Sequence, residues 1–115
     1  MNRASLMSEE ELQNAVIQVA RIRGWLVVHP RPGQTVSGRW ATQTQGDAGS
    51  PDLWLVKPPM LIAAELKAEK GRLSPAQHRW IWALQRCPGV MAFIWRPQHW
   101  LSGEIERVLT QEVKP

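Results

Sequence analysis

The sequence has no tyrosine, one phenylalanine, one cysteine and three histidines. A lone Cys87 cannot close an internal disulfide and fits a reducing compartment. With no cysteine pair and with His29, His78 and His99 scattered, no spacing points to a structural zinc site. Uncharged apolar stretches fall far short of the roughly 18 residues a membrane span needs, Pro58 to Ala64 being among the longest. Glu9, Glu10 and Glu11 stand where a signal peptide would place its apolar region. What remains is 43% hydrophobic and 21% charged over 115 residues, values that exclude wholesale disorder and suit a single domain. The expectation is a small, soluble, cytoplasmic protein with no membrane partner.

Acids are also missing locally. Between Leu12 and Gly46 there is none, while Arg21, Arg23, Arg31 and Arg39 fall in that stretch. The whole chain carries +4. Such a surface either attracts the phosphates of a nucleic acid or serves as a solvated basic face that keeps the protein soluble. Seven tryptophans are unusual at this length, and Trp25, Trp54 and Trp95 lie in apolar runs that suit a core.

Ser8 and Glu11 spell a capping box, followed by Leu12, Val16, Val19 and Ala20 at helical spacing. Ala15 and Ile22 widen that face, and Gly24 stops the helix. Trp25 to His29 reads as a short strand, and residues 31–50 as a loop of about twenty residues. Leu53–Lys57 and Met60–Lys67 read as strands joined at Pro58-Pro59. Ser74-Pro75-Ala76-Gln77 opens a second helix whose face holds Gln77, Trp80, Ile81 and Leu84. Val90 to Trp95 is a further strand, Cys87 reads as a buried helix-end residue, and Ser102 caps a last helix through Ile105, Val108 and Leu109. The order α-β-β-β-α-β-α predicts an α/β fold, a mixed sheet flanked by helices.

A hairpin folding symmetrically about Pro58-Pro59 sets Asp52 opposite Glu65, with Cβ atoms about 4.5–5.5 Å apart. Two prolines cannot form the primed turns of short hairpins, but a four-residue loop from Lys57 to Met60 keeps that register. Lys67, two residues past Glu65, points to the same sheet face. The three charges either pair harmlessly on an exposed hairpin or hold a hard divalent cation, which takes oxygen ligands and tolerates paired carboxylates.

The stretch Gly49-Ser50-Pro51-Asp52-Leu53, then Glu65-Leu66-Lys67, then Gly71-Arg72-Leu73-Ser74-Pro75-Ala76-Gln77 resembles the PD-(D/E)xK nucleases, and within them the VRR-NUC family of small virus-type replication-repair nucleases. Gly24-Trp25 and Trp95-Arg96-Pro97 add to the likeness, which runs from about Ser8 to Leu109. The resemblance implies a single nuclease domain over residues 1–115, with a restriction-endonuclease-like core from about residue 8 to 111. It makes Asp52 and Glu65 metal ligands, with the Leu66 backbone carbonyl a third, and Lys67 the catalytic lysine. Gln77 matches the family's glutamine near the active site, although a capping box alone also explains it. Glu9 best fits the family's first-helix glutamate, since Glu9 and Gln13 reproduce its spacing; Glu10 and Glu11 compete for that role, and all three acids also suit a helix N-terminus. Asp47 is either a second-metal ligand or a solvated loop acid, and His29 either meets DNA or packs.

The function so implied is a Mg2+-dependent endonuclease, with Mn2+ substituting, in a bacterial or phage-infected cell. It would act as a homodimer on branched DNA such as four-way (Holliday) junctions, with Arg31 and Arg39 following the DNA backbone. The alternatives are a flap or nicking nuclease, and a module that binds DNA structure without cutting it.

Overall fold

The computed structural model describes residues 7–30, 33–34, 40–41 and 46–111. Helix α1 (Glu9–Ile22) starts at the Ser8 capping box: the Ser8 hydroxyl accepts from the Glu11 amide at 3.0 Å, and the Glu11 carboxylate accepts from the Ser8 amide at 3.1 Å. Leu12, Val16 and Ala20 form its buried stripe. Gly24, at φ +89°, turns the chain out of the helix into β1 (Leu26–Val28). Two two-residue strands follow, β2 (Gly33–Gln34) and β3 (Trp40–Ala41), paired antiparallel with each other. They break up the segment expected to be a featureless loop.

Strands β4 (Leu53–Lys57) and β5 (Met60–Leu66) form the hairpin, connected by Pro58-Pro59 with a cis peptide between them. Pairing runs from Lys57 with Met60 to Leu53 with Ala64, the expected symmetric register. Helix α2 (Pro75–Leu84) opens with the second capping box, strand β6 (Met91–Trp95) follows, and two short helices close the described chain, α3 (Pro97–Leu101) and α4 (Glu104–Leu109). The sheet order is β1-β4-β5-β6, antiparallel except for the β5–β6 pair. This is the mixed α/β sheet flanked by helices that the pattern predicts.

Alternation along β4 and β5 divides the sheet into two faces. Leu53, Leu55, Ile62, Ala64 and Leu66 point to one, where Trp95, Leu12, Val16 and Ala20 of α1, and Ile105 and Leu109 of α4 complete the core. The Trp25 indole N–H donates to the Leu109 carbonyl at 2.9 Å, tying the last helix to this layer. Helix α2 lies over β5 and β6 on the other face, with Ile81 buried beneath it.

Several expectations do not hold. Ile22 is 72% exposed, because the core-facing stripe of α1 ends at Ala20. Trp54 is only half-buried: it shares a face with Asp52, not with the core. Cys87 is exposed, since it follows α2 rather than packing under it. Ser102 is the C-cap of the unforeseen helix α3, so Gly103 takes the N-cap of α4. Among the described residues, no helix is long and apolar enough to cross a membrane.

Candidate active site

The face under α2 collects the chain's chemistry at the end of the hairpin. Two contacts deliver Asp52 there. Gly49 sits at φ +92°, and a Cβ on it would stand 2.6 Å from the Ala76 carbonyl carbon, so only glycine lets this segment lie against α2. Beyond it, the His29 ring meets the Asp52 carbonyl at 2.7 Å. A carbonyl only accepts, so Nδ1 carries the proton and His29 acts as a tie that holds Asp52 in place. The Asp52 carboxylate in turn accepts the Leu66 amide at 2.8 Å, one step past the last β4–β5 pair.

Glu65 is 1% exposed, the one charged residue in the buried set among the described residues. Its Oε1 accepts from the Gln77 side-chain amide at 3.2 Å, while its Oε2 is buried with no hydrogen-bond partner. Burial, the adjacent Asp52 carboxylate and, least, Glu9 push its pKa from 4.5 up to about 9, against a smaller downward pull from Lys67. Without a cation, then, Glu65 holds a proton at neutral pH. A buried carboxyl whose second oxygen has only the Asp52 carboxylate to share that proton with is a donor set that suits a hard cation in the proton's place.

Gln77 serves both readings at once. Its Oε1 accepts the Ser74 amide at 2.9 Å as the capping box requires, and its Nε2 holds Glu65. Because a carboxamide carries an acceptor and donors on one planar group, a helix cap can double as a site residue. Lys67 is half-buried, and its amide donates to the Trp95 carbonyl at 3.0 Å, fixing the strand end that carries it. Of the three acids at the start of α1, Glu9 alone is among the charges acting on Glu65, and Glu11 is spent on the capping box. The Leu66 carbonyl shares its strand edge with the amide bonded to Asp52, which points it toward that carboxylate.

Other candidates stand apart. Asp47 pairs with Arg79 on α2 at 3.3 Å, both side chains being about three-quarters exposed, and contributes nothing to the carboxylate pair. Arg31 and Arg39 lie outside the described residues. Among the described residues no three His, Cys, Asp or Glu side chains converge as a metal cluster. A cation here would therefore draw on two carboxylates, a backbone carbonyl and oxygens from water or substrate.

Sequence reasoning passed over one residue that shapes the site. Arg96 Nη1 donates to the carbonyls of Ala68, Glu69 and Gly71 at 2.8, 3.2 and 2.7 Å. It therefore clamps the turn between Lys67 and the start of α2. Trp95-Arg96-Pro97 was the available signal, but it did not say which carbonyls the guanidinium would meet.

A family model described as the VRR-NUC domain matches residues 5–96, most of the chain, ending at Arg96 and ahead of α3 and α4. No curated protein and no solved structure matches the chain.

Proposed function

The chain belongs to the VRR-NUC family, and from that premise we propose that it is a Mg2+-dependent endonuclease that hydrolyses phosphodiesters in branched DNA, four-way junctions included. Nuclease-type DNA processing follows from the domain itself; the metal, the branched substrate and the residue roles are our reading. One observation carries it: Glu65 is buried with an unpartnered oxygen directly beside Asp52, on the sheet face that also bears Lys67.

Asp52, Glu65 and the Leu66 carbonyl are the oxygen donors that would hold the cation. When bound, Mg2+ supplies water activation and neutralises charge on the phosphate. The chain's own residues do the rest. Gln77 keeps one Glu65 oxygen occupied and leaves the other for the cation. Lys67 offers an ammonium to the negative charge that grows on the phosphate as the bond to the leaving oxygen breaks. His29 and Arg96 hold the two segments that carry these groups. Two copies about a two-fold axis would present two sites of opposite polarity, which suits paired cuts across a symmetric junction.

The test is a cleavage assay on labelled four-way junction, flap and blunt duplex, with Mg2+, with Mn2+ and with chelator. Metal-dependent cutting of the junction in preference to the duplex is expected. Cutting of flaps alone would make the enzyme a flap nuclease, and binding without cutting under every metal would remove the catalytic reading.

A further inference from the structure

On the outer side of α2, away from the carboxylates, lies a surface pocket of about 320 Å3 lined by Asp47, Arg79, Trp80, Trp82 and Ala83. We propose that this pocket takes an unpaired nucleobase of the DNA substrate, stacked on Trp82. The inference rests on the reading of the protein as a nuclease of branched DNA and extends it to how such DNA is recognised.

Trp82 is 58% exposed and stands open at this pocket. Its partner Trp80 is already committed, donating its indole N–H to the Ala48 carbonyl at 3.0 Å. Arg86 lies over the Trp82 ring with its guanidinium carbon 3.7 Å from the centroid, and also donates to the Trp82 carbonyl at 2.8 Å. One ring face is thereby covered, which leaves the other to a second flat group. Cation–indole–base stacks are a sequence-tolerant way of holding single-stranded nucleic acid, since every base has a π-face.

The polar rim fits the same occupant. Asp47 accepts and Arg79 donates, the two complementary needs of a base edge. Their mutual ion pair is exposed and contributes little, so either can turn to a ligand. Arg86 over the Trp82 ring adds a cation next to the pocket, which suits a polyanion. The volume stands at the lower end of the range for small-ligand pockets, about 300–1,000 Å3. A base inside a duplex has both faces covered by its neighbours, so only an unpaired one can use the ring.

The position is also suitable. Asp47 lies on the segment that runs straight into Asp52, and Trp82 follows Gln77 by five residues of helix. A base held here is tied through α2 and the Asp47 segment to the same two elements that carry Gln77 and Asp52.

Binding in chelator separates the possibilities, read as anisotropy of three labelled DNAs. These are a forked duplex with normal unpaired arms, the same fork with abasic arms, and a blunt duplex. Trp82→Ala is expected to weaken binding of the normal fork about five-fold or more, to leave the abasic fork and duplex unchanged, and to regain most of the loss as Trp82→Phe. Equal affinity of wild type and Trp82→Ala for the normal fork overturns the proposal while leaving the nuclease reading intact. An equal loss on all three DNAs overturns it too, because the residue would then serve the fold or the backbone contact. Wild type that binds none of the three DNAs overturns both readings together.

Discussion

The two faces of the four-stranded sheet are made from alternate residues of the same strands, and they obey opposite rules. On one, Leu53, Leu55, Ile62, Ala64 and Leu66 meet α1 and α4, and every buried group is apolar. On the other, within the same five-to-seven-residue strands, Glu65 is buried with an unpartnered oxygen beside Asp52, under a helix that supplies Gln77. The apolar face gains free energy from each residue it hides, about 1.5–3 kcal/mol for a leucine. The other face gives some of that back, because a carboxyl moved out of water must keep a proton or find a cation. A polar site of this kind is tolerable because the first face holds the strands rigid regardless of what the second does.

That contrast can be broken at its sharpest point first. Glu65→Gln preserves shape and the hydrogen bond from Gln77 but cannot ionise. Cleavage should fall below detection at any Mg2+ concentration, while folding is retained. Persistent metal-dependent cutting by this variant would take Glu65 out of the active site.

Lys67→Met is the next largest. If its ammonium meets charge that develops only in the transition state, single-turnover cleavage should fall about 10²–10³-fold with DNA affinity and metal titration unchanged. A rate restored by saturating DNA would instead make Lys67 a binding residue.

A change on the apolar face should do the reverse. Leu55→Ala leaves a void in the core and should cost about 2–5 kcal/mol of stability, seen as a lower denaturation midpoint. Its cleavage rate well below that midpoint should match wild type. A rate loss like that of Lys67→Met would show that the two faces are not separable.

The carboxyl pair can also be tested without any substrate. In metal-free protein the folded-state pKa of Glu65, about 9, lies above its ordinary 4.5. The folded state therefore holds the proton more tightly than the unfolded chain. This contribution is fully present below pH 4.5 and is lost as pH rises toward 9. The melting temperature of wild type should decline relative to Glu65→Gln across that window, and Mg2+ should narrow the gap. Parallel melting curves from pH 5 to 9 would contradict the burial of an ionisable group here.

How much of this was legible depended on how local each signal is. Both capping boxes could be read directly, because Ser8 with Glu11 and Ser74 with Gln77 lie within one helical turn. The hairpin register was legible because side chains alternate with a period of two, so a symmetric connection leaves one pairing. Ile22, Trp54 and Cys87 were misplaced for the opposite reason. Periodicity tells which residues share a face but not how far another layer covers it: the end of α1 is exposed, and α2 covers the Trp54 face over β5 and β6 but leaves Trp54 on β4 half-buried. Helix α3 was hidden behind Ser102, whose capping chemistry fits either end of a short helix.

By itself, then, the amino-acid order determined the main elements α1, β1, β4, β5, α2 and β6, the Ser8 and Ser74 caps, the pairing of β4 with β5, and the presence of Asp52, Glu65 and Lys67 on one face. Those follow from interactions spanning a few residues or from strict alternation. Only the tertiary structure decided that Glu65 is sealed from water with one oxygen unpartnered, that Glu9 is the acid of its trio acting on it, and that Gln77 bridges its own helix cap to Glu65. It also decided that Arg96 gathers carbonyls 25 to 28 residues earlier in the chain. Burial and long-range hydrogen bonds depend on which surfaces are pressed together when the layers pack, and that information is spread over the whole chain rather than written at any one position.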